Sequence, residues 1–311
     1  MGDTLHPLDP LTADELRVAV GLIASDARYE SDMVFAHLRL HEPDKAVVLA
    51  HEVGAPVDRE VEALLVPPGR LVAMVVIVSV TAGEVRSWTV HDGMRPALLF
   101  GESLSAIIGV KEHPEWQAAM RRRGIEDFDK VQIDPWPAGS FGVEHEEGRR
   151  ISRCISYFRD EPTDNGYAQP IEGVIAFFDN GAGTVLEVVD FGLVPMPEDR
   201  GHYLSAAVGP SRDDLKPLEI VQPDGPSFVV DGHHVRWSRW SFRLGFDPYE
   251  GVVLHAVEYH DGDRVRPMLY RASICEMVVP YGDPGPMHGW KNAFDAGEWG
   301  LGRMMNSLQL G

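Results

Sequence analysis

Thirteen histidines in 311 residues invite a search for metal-ligand spacing. His37 and His41 stand four apart, which on a helix would aim both rings at one ion. They lie instead in an alternating stretch, where a strand would carry them ~13 Å apart. His233 and His234 are neighbours and point to opposite faces of an extended chain. No His-x-His pair occurs anywhere. The two cysteines, Cys154 and Cys275, sit far apart in apolar stretches, which predicts buried reduced thiols and no cysteine-borne metal site. Nucleotide chemistry finds no support. Gly181-Ala182-Gly183 and Gly300-Leu301-Gly302 lack the third glycine of a dinucleotide loop, and no Gly-Lys-Ser/Thr appears. A Gly-x-Ser-x-Gly elbow is missing too. Taken singly, Asp295 before Ala296-Gly297 reads as a turn or cap residue. Tyr281 after Pro280 reads as an aromatic at a strand end, and Tyr167 as a loop aromatic.

The formal net charge of −20 argues against nucleic acid, whose phosphates need a basic face. An acidic surface concentrates cationic ligands such as amines, and equally it keeps a protein soluble. The longest apolar run, residues 71–78, is far too short to cross a bilayer. Met1 leads into an acidic, proline-containing stretch rather than a basic and then apolar one. The expectation is a soluble, cytoplasmic protein without a membrane partner.

The elements that would position any site come in two similar sets. Thr12 and Glu15 have capping-box spacing, and Leu16, Ala19, Val20, Ile23 and Ala24 repeat at helical period. Period two then predicts strands over 33–41, 45–51 and 60–66, and a hairpin of 71–81 and 84–90 about Ala82-Gly83. The pattern repeats with helices over 102–111 and 114–123. The second has Pro114 in its first turn and Gly124 at its end. Strands are expected over 130–133, 149–159, 171–178 and 184–191. Helix on antiparallel sheet, twice over, is an α+β pattern. Residues 193–227, rich in proline, read as an irregular linker. Strands then dominate over 228–230, 234–244, 251–259 and 264–279, as at the start of a larger β domain. The expected division is 1–95, 96–200 and 201–311.

The wording of the last quarter is distinctive. It runs from Val235-Arg236-Trp237-Ser238-Arg239-Trp240-Ser241-Phe242-Arg243-Leu244-Gly245-Phe246 through Gly251-Val252-Val253-Leu254 and Tyr270-Arg271-Ala272-Ser273-Ile274. Glu276-Met277-Val278-Val279-Pro280-Tyr281-Gly282-Asp283-Pro284 and Asn292-Ala293-Phe294-Asp295-Ala296-Gly297-Glu298 follow. This order closely resembles the catalytic-domain entrance of the copper- and topaquinone-dependent primary amine oxidases. His6-Pro7-Leu8 and Arg123-Gly124-Ile125 fit the same family. The resemblance implies two small cystatin-like domains followed by the start of a large β-sandwich. It also implies oxidative deamination of a primary amine by oxygen, yielding aldehyde, ammonia and hydrogen peroxide, in a homodimer. By the same resemblance Asp295 is the catalytic base, a carboxylate that removes the α-proton and whose pKa desolvation would raise. Tyr281 orients the quinone. Ala293, where many relatives carry a bulky gate, and Tyr167 shape the substrate channel.

The family makes its quinone from the tyrosine of an Asn-Tyr-Asp/Glu motif and binds copper through a His-x-His pair with a distant third histidine. Neither an Asn-Tyr nor a His-x-His occurs here. The expectation is therefore that copper and topaquinone are supplied downstream of this chain and no metal by the chain itself. Three alternatives stay open: a portion of a longer enzyme, one chain of a split enzyme completed by a C-terminal half, or a non-catalytic binding or assembly module.

Overall fold

The computed structural model describes residues 6–94, 96–139, 141–274, 279–291, 300 and 302. Cys275, Ala293 and Asp295 lie outside them. The chain forms two compact units, Met1–Ala97 with Gln222–Val279 and Ala293–Gly311, and Leu98–Val221 with Pro280–Asn292.

In the first unit, helix α1 (Ala13–Ala24) starts at Thr12, whose hydroxyl accepts from the Glu15 amide while the Glu15 carboxylate accepts from the Thr12 amide. This satisfies two amides that the first turn leaves without helical partners. Ala19 and Ile23 then face an antiparallel sheet of β1 (Val34–Leu40), β2 (Glu60–Val66), β3 (Val72–Ser79) and β4 (Glu84–Asp92), ordered β1-β2-β3-β4. Val61, Ala63, Leu65, Val76 and Val78 complete that core, each large side chain contributing about 1.5–3 kcal/mol of burial. The same unit holds a five-stranded antiparallel sheet, described with its strands below.

Residues 45–51, expected as strand, are not one. Lys45–Leu49 is a single helical turn, α2, opened at Asp44 after Pro43. Two adjacent valines favour strand locally, but here only Val48 is buried while Val47 and Leu49 are exposed. Packing on one side decided the outcome over propensity. Lys45 also reaches over the Tyr270 ring, 5.1 Å from its centroid.

The second unit repeats the plan. Helices α3 (Phe100–Glu112) and α4 (Pro114–Arg122) cover β5 (Val131–Pro137), β6 (Ile151–Phe158), β7 (Val174–Asp179) and β8 (Thr184–Asp190), ordered β5-β6-β7-β8. Their core joins Ala106, Val110, Trp116 and Met120 to Val131, Ile133, Cys154, Val174, Ala176 and Phe178. Gly109 lets the helix close on the sheet, since a Cβ there would stand 2.7 Å from the Phe178 ring. Cys154 is a free, buried thiol whose pKa burial pushes up. Arg123, at the end of α4, ties helix to sheet by binding both oxygens of Asp190 at 2.8 and 3.0 Å. The stretch expected as linker contains one short helix, α5 (Ser205–Val208).

The five-stranded sheet of the first unit has the order β13-β12-β11-β10-β9, from β9 (Phe228–Asp231), β10 (His234–Trp237), β11 (Trp240–Asp247), β12 (Gly251–Asp261) and β13 (Arg264–Ala272). The single strand expected over 234–244 is a hairpin: Trp237 pairs with Trp240 across a two-residue turn, and Ser238 takes φ 54°. A turn made without glycine, inside an unbroken alternating pattern, leaves no compositional mark. The strand expected over 264–279 ends at Ala272. Its remainder at 275–278 lies outside the described residues.

Candidate functional site

Alternation along β5, β6 and β7 sends one set of side chains to the helices and the other set to the opposite face. That outer face carries Trp136, Ile155, Tyr157, Ile175 and Phe177. The segment 280–291 is laid over it, with Met287 and Trp290 buried against these residues. Tyr281 opens this segment. Its ring meets Trp136 edge to face, centroids 5.9 Å apart at 68°, and its amide donates to the Lys291 carbonyl at 3.3 Å. The residue is half exposed.

The supports of this segment are compact. Trp136 meets Trp290 at 6.0 Å and 87°, and the Trp290 indole donates to the Pro286 carbonyl at 3.1 Å. The Lys291 ammonium lies 5.4 Å from the Trp136 centroid and 3.1 Å from Nδ1 of His288. His288 in turn stands 3.3 Å from Glu172. Beneath Trp290 lies Arg153, bound by both oxygens of Glu146.

Tyr167 reaches the same face by another route. Asn165 accepts from its amide at 3.2 Å and opens a 3-10 turn, Gly166–Ala168. The ring then packs edge-on against Tyr157, 5.0 Å and 76°, and stays largely exposed. Trp136 is paired with Arg153 and Gln132 with Tyr157 in the β5–β6 register. Tyr281 and Tyr167 therefore mark two points of one surface, their supports ~13 Å apart along the strands. Asp295 and Ala293 fall outside the described residues.

The sequence reading passed over Trp136, Trp290 and the pair Arg153–Glu146. The arginine had left a signal: it interrupts Ile151-Ser152-Arg153-Cys154-Ile155, a strand buried on both sides. A charge in such a place requires a buried partner.

The histidines of the first unit are placed quite differently. His37 and His41 converge on Glu62 from either side, 3.9 and 3.7 Å from its two oxygens. His37, together with Arg39, holds the Glu62 carboxyl down to about 2 despite its burial. Glu42 accepts from His255 at 3.0 Å and from Arg271 at 2.9 Å, and these outweigh burial and lower its pKa. Arg271 also binds Glu250 at 2.6 Å. A cavity of about 260 Å³ lies among Arg39, His41, Glu42, Glu62, Glu250 and Arg271. With Asp247 also lining it, two guanidiniums and His41 face four carboxylates. Among the described residues no three His, Cys, Asp or Glu side chains are grouped to hold a metal ion. Nor is any helix among them long and apolar enough to cross a membrane.

Three family models match successive parts of the chain: the AGAO-like N2 domain over residues 12–88, the copper amine oxidase N3 domain over 103–204, and the copper amine oxidase enzyme domain over 229–311. A primary amine oxidase of Arthrobacter sp. (strain P1) is 43% identical over 307 residues, 98% of this chain and 47% of the relative. A histamine oxidase of Arthrobacter globiformis is 40% identical over 312 residues, 98% of this chain and 45% of the relative. Among solved structures, a copper-containing benzylamine oxidase from Hansenula polymorpha superimposes with a TM-score of 0.81 at 26% identity, covering 99% of this chain and 50% of that one. The chain thus spans about half the length of the relatives it matches.

Proposed function

The chain belongs to the copper amine oxidase family, and from that premise we propose that it serves the oxidative deamination of a primary amine, with aldehyde, ammonia and hydrogen peroxide as products. The observation that carries this reading is the enzyme-domain match over 229–311, which takes in both Tyr281 and Asp295. In the proposal Asp295 accepts the proton from the amine's α-carbon, as a positioned carboxylate can. Tyr281 offers its hydroxyl from a ring already seated on Trp136. Tyr167 and Ala293 border the approach of the amine. The small side chain at 293 favours wide or polar amines, aromatic or histamine-like.

The family's copper and topaquinone do not fit the residues present. The described residues provide no ligand trio, and the sequence has neither His-x-His nor Asn-Tyr. The proposal assigns both groups to polypeptide beyond these 311 residues, joined to them or supplied as a complementary half, in a homodimer. It divides this chain at 1–95, 96–200 and 201–311, the last part opening the catalytic domain. It also sets the protein in the reducing cytoplasm, where the buried free thiol of Cys154 is at home.

The test is a peroxide assay. The chain is produced with copper and with the C-terminal half of a relative, and phenylethylamine or histamine is added. Amine-dependent peroxide from the combination, and none from either half, is the expected result. Peroxide from neither amine in a folded, copper-loaded assembly would overturn the reading.

A further inference from the structure

We propose that Arg153 and Glu146 are positioning residues for the segment that carries Tyr281. Both side chains are almost fully buried, 6% and 5% exposed. Two charge-assisted bonds of 2.8 and 2.7 Å join them side by side and fix the plane of the guanidinium. That plane serves aromatic rings. The guanidinium carbon lies 5.0 Å from the Trp290 centroid and 5.7 Å from those of Phe141 and Phe177.

Trp290 is the link from this cation to Tyr281. It lies edge-on against Trp136, and Trp136 receives Tyr281 in the same manner. Its indole N–H closes the loop on Pro286, and the next residue, Lys291, accepts the Tyr281 amide through its carbonyl. One carboxylate on the turn Glu144–Glu146 therefore aims one cation, which seats one indole, which holds both ends of the segment.

A buried ion pair contributes little to stability compared with apolar residues of the same volume. A flat cation facing rings away from water, in contrast, binds them strongly and with a defined orientation. The geometry suits placement better than bulk stability. Its importance for catalysis rests on the role proposed for Tyr281, while the anchoring itself does not.

Hydrogen exchange of the 311-residue chain, followed by mass spectrometry, tests the anchor. Within the segment the amides of Tyr281, His288, Gly289 and Lys291 are hydrogen-bonded to the segment's own carbonyls. Arg153→Lys keeps the charge but loses the flat face, and Glu146→Gln loosens its aim. The double variant Arg153→Met/Glu146→Leu removes both charges without stranding one. Exchange in 280–292 should rise about tenfold in Arg153→Lys and in the double variant, and less in Glu146→Gln. Peptides from the helix-facing core of β5 and β7 should keep wild-type protection. Unchanged exchange in 280–292, or an equal rise across 98–221, would overturn the proposal. No amine or copper enters the measurement, so its failure leaves the oxidase reading standing. An inactive completed enzyme, conversely, leaves the anchor standing.

Discussion

At Tyr281 the ring is engaged by Trp136 and the proposed role belongs to the hydroxyl, so the two can be separated. Tyr281→Phe keeps the contact with Trp136 and removes the oxygen. In a completed oxidase we expect turnover to fall about 10- to 100-fold, the worth of one hydrogen bond to a charged group, with the fold unchanged by circular dichroism. Wild-type turnover would deny the hydroxyl a role. His6 gives a pH effect of definite sign. Burial, and then the nearby Arg243, lower its pKa from 6.5 to about 4, and its Nδ1 accepts from the Leu8 amide. A depressed folded value means that the contribution is full above pH 6.5 and is lost as pH falls toward 4. His6→Asn, which keeps an acceptor for Leu8, should flatten the loss of stability across that window in urea titrations. At this scale sequence reading reached Tyr281 and Tyr167 only through the wording of their motifs. Their supports were out of reach, because Trp136, Trp290 and Arg153 meet through the pairing of β5 with β6 and the return of 280–291, not through spacing along the chain.

Elements with strong local signals appear where the residues put them. The capping box of Thr12 and Glu15 opens α1, and Pro114 opens α4. Both sheets of the small modules follow period-two patterns in simple meander order. Where local and tertiary preferences compete, the pattern misleads. Val47 and Val48 turn in α2 because one face alone finds cover, and the strand expected through Ser238 folds back on itself. Joining of elements was even less visible. Arg59, 3% exposed, holds the chain before α1 to the sheet by donating to Glu15 and to the carbonyls of Pro7, Asp9 and Pro10. Arg59→Met leaves a part-buried carboxylate and those carbonyls without their donor. It should cost about 3–5 kcal/mol, read as a lower urea midpoint at constant slope. A change below about 1 kcal/mol would show that water replaces the guanidinium freely.

For the molecule as a whole, two helix-on-sheet modules and the start of an enzyme domain lie in one chain about half as long as its relatives. A segment from the part of the sequence matched by the enzyme-domain model packs on the second module's sheet and seats Tyr281 there, fourteen residues ahead of Asp295 in the sequence. The proposed function depends on whether that carboxylate takes the substrate's proton. The direct measurement is amine-dependent peroxide release by the completed enzyme, wild type against Asp295→Asn, with α-deuterated and ordinary amine. The account predicts a fall in turnover of about a thousandfold for Asp295→Asn, with KM little changed, and a deuterium effect in the wild type. Turnover by Asp295→Asn within a few-fold of wild type would contradict it.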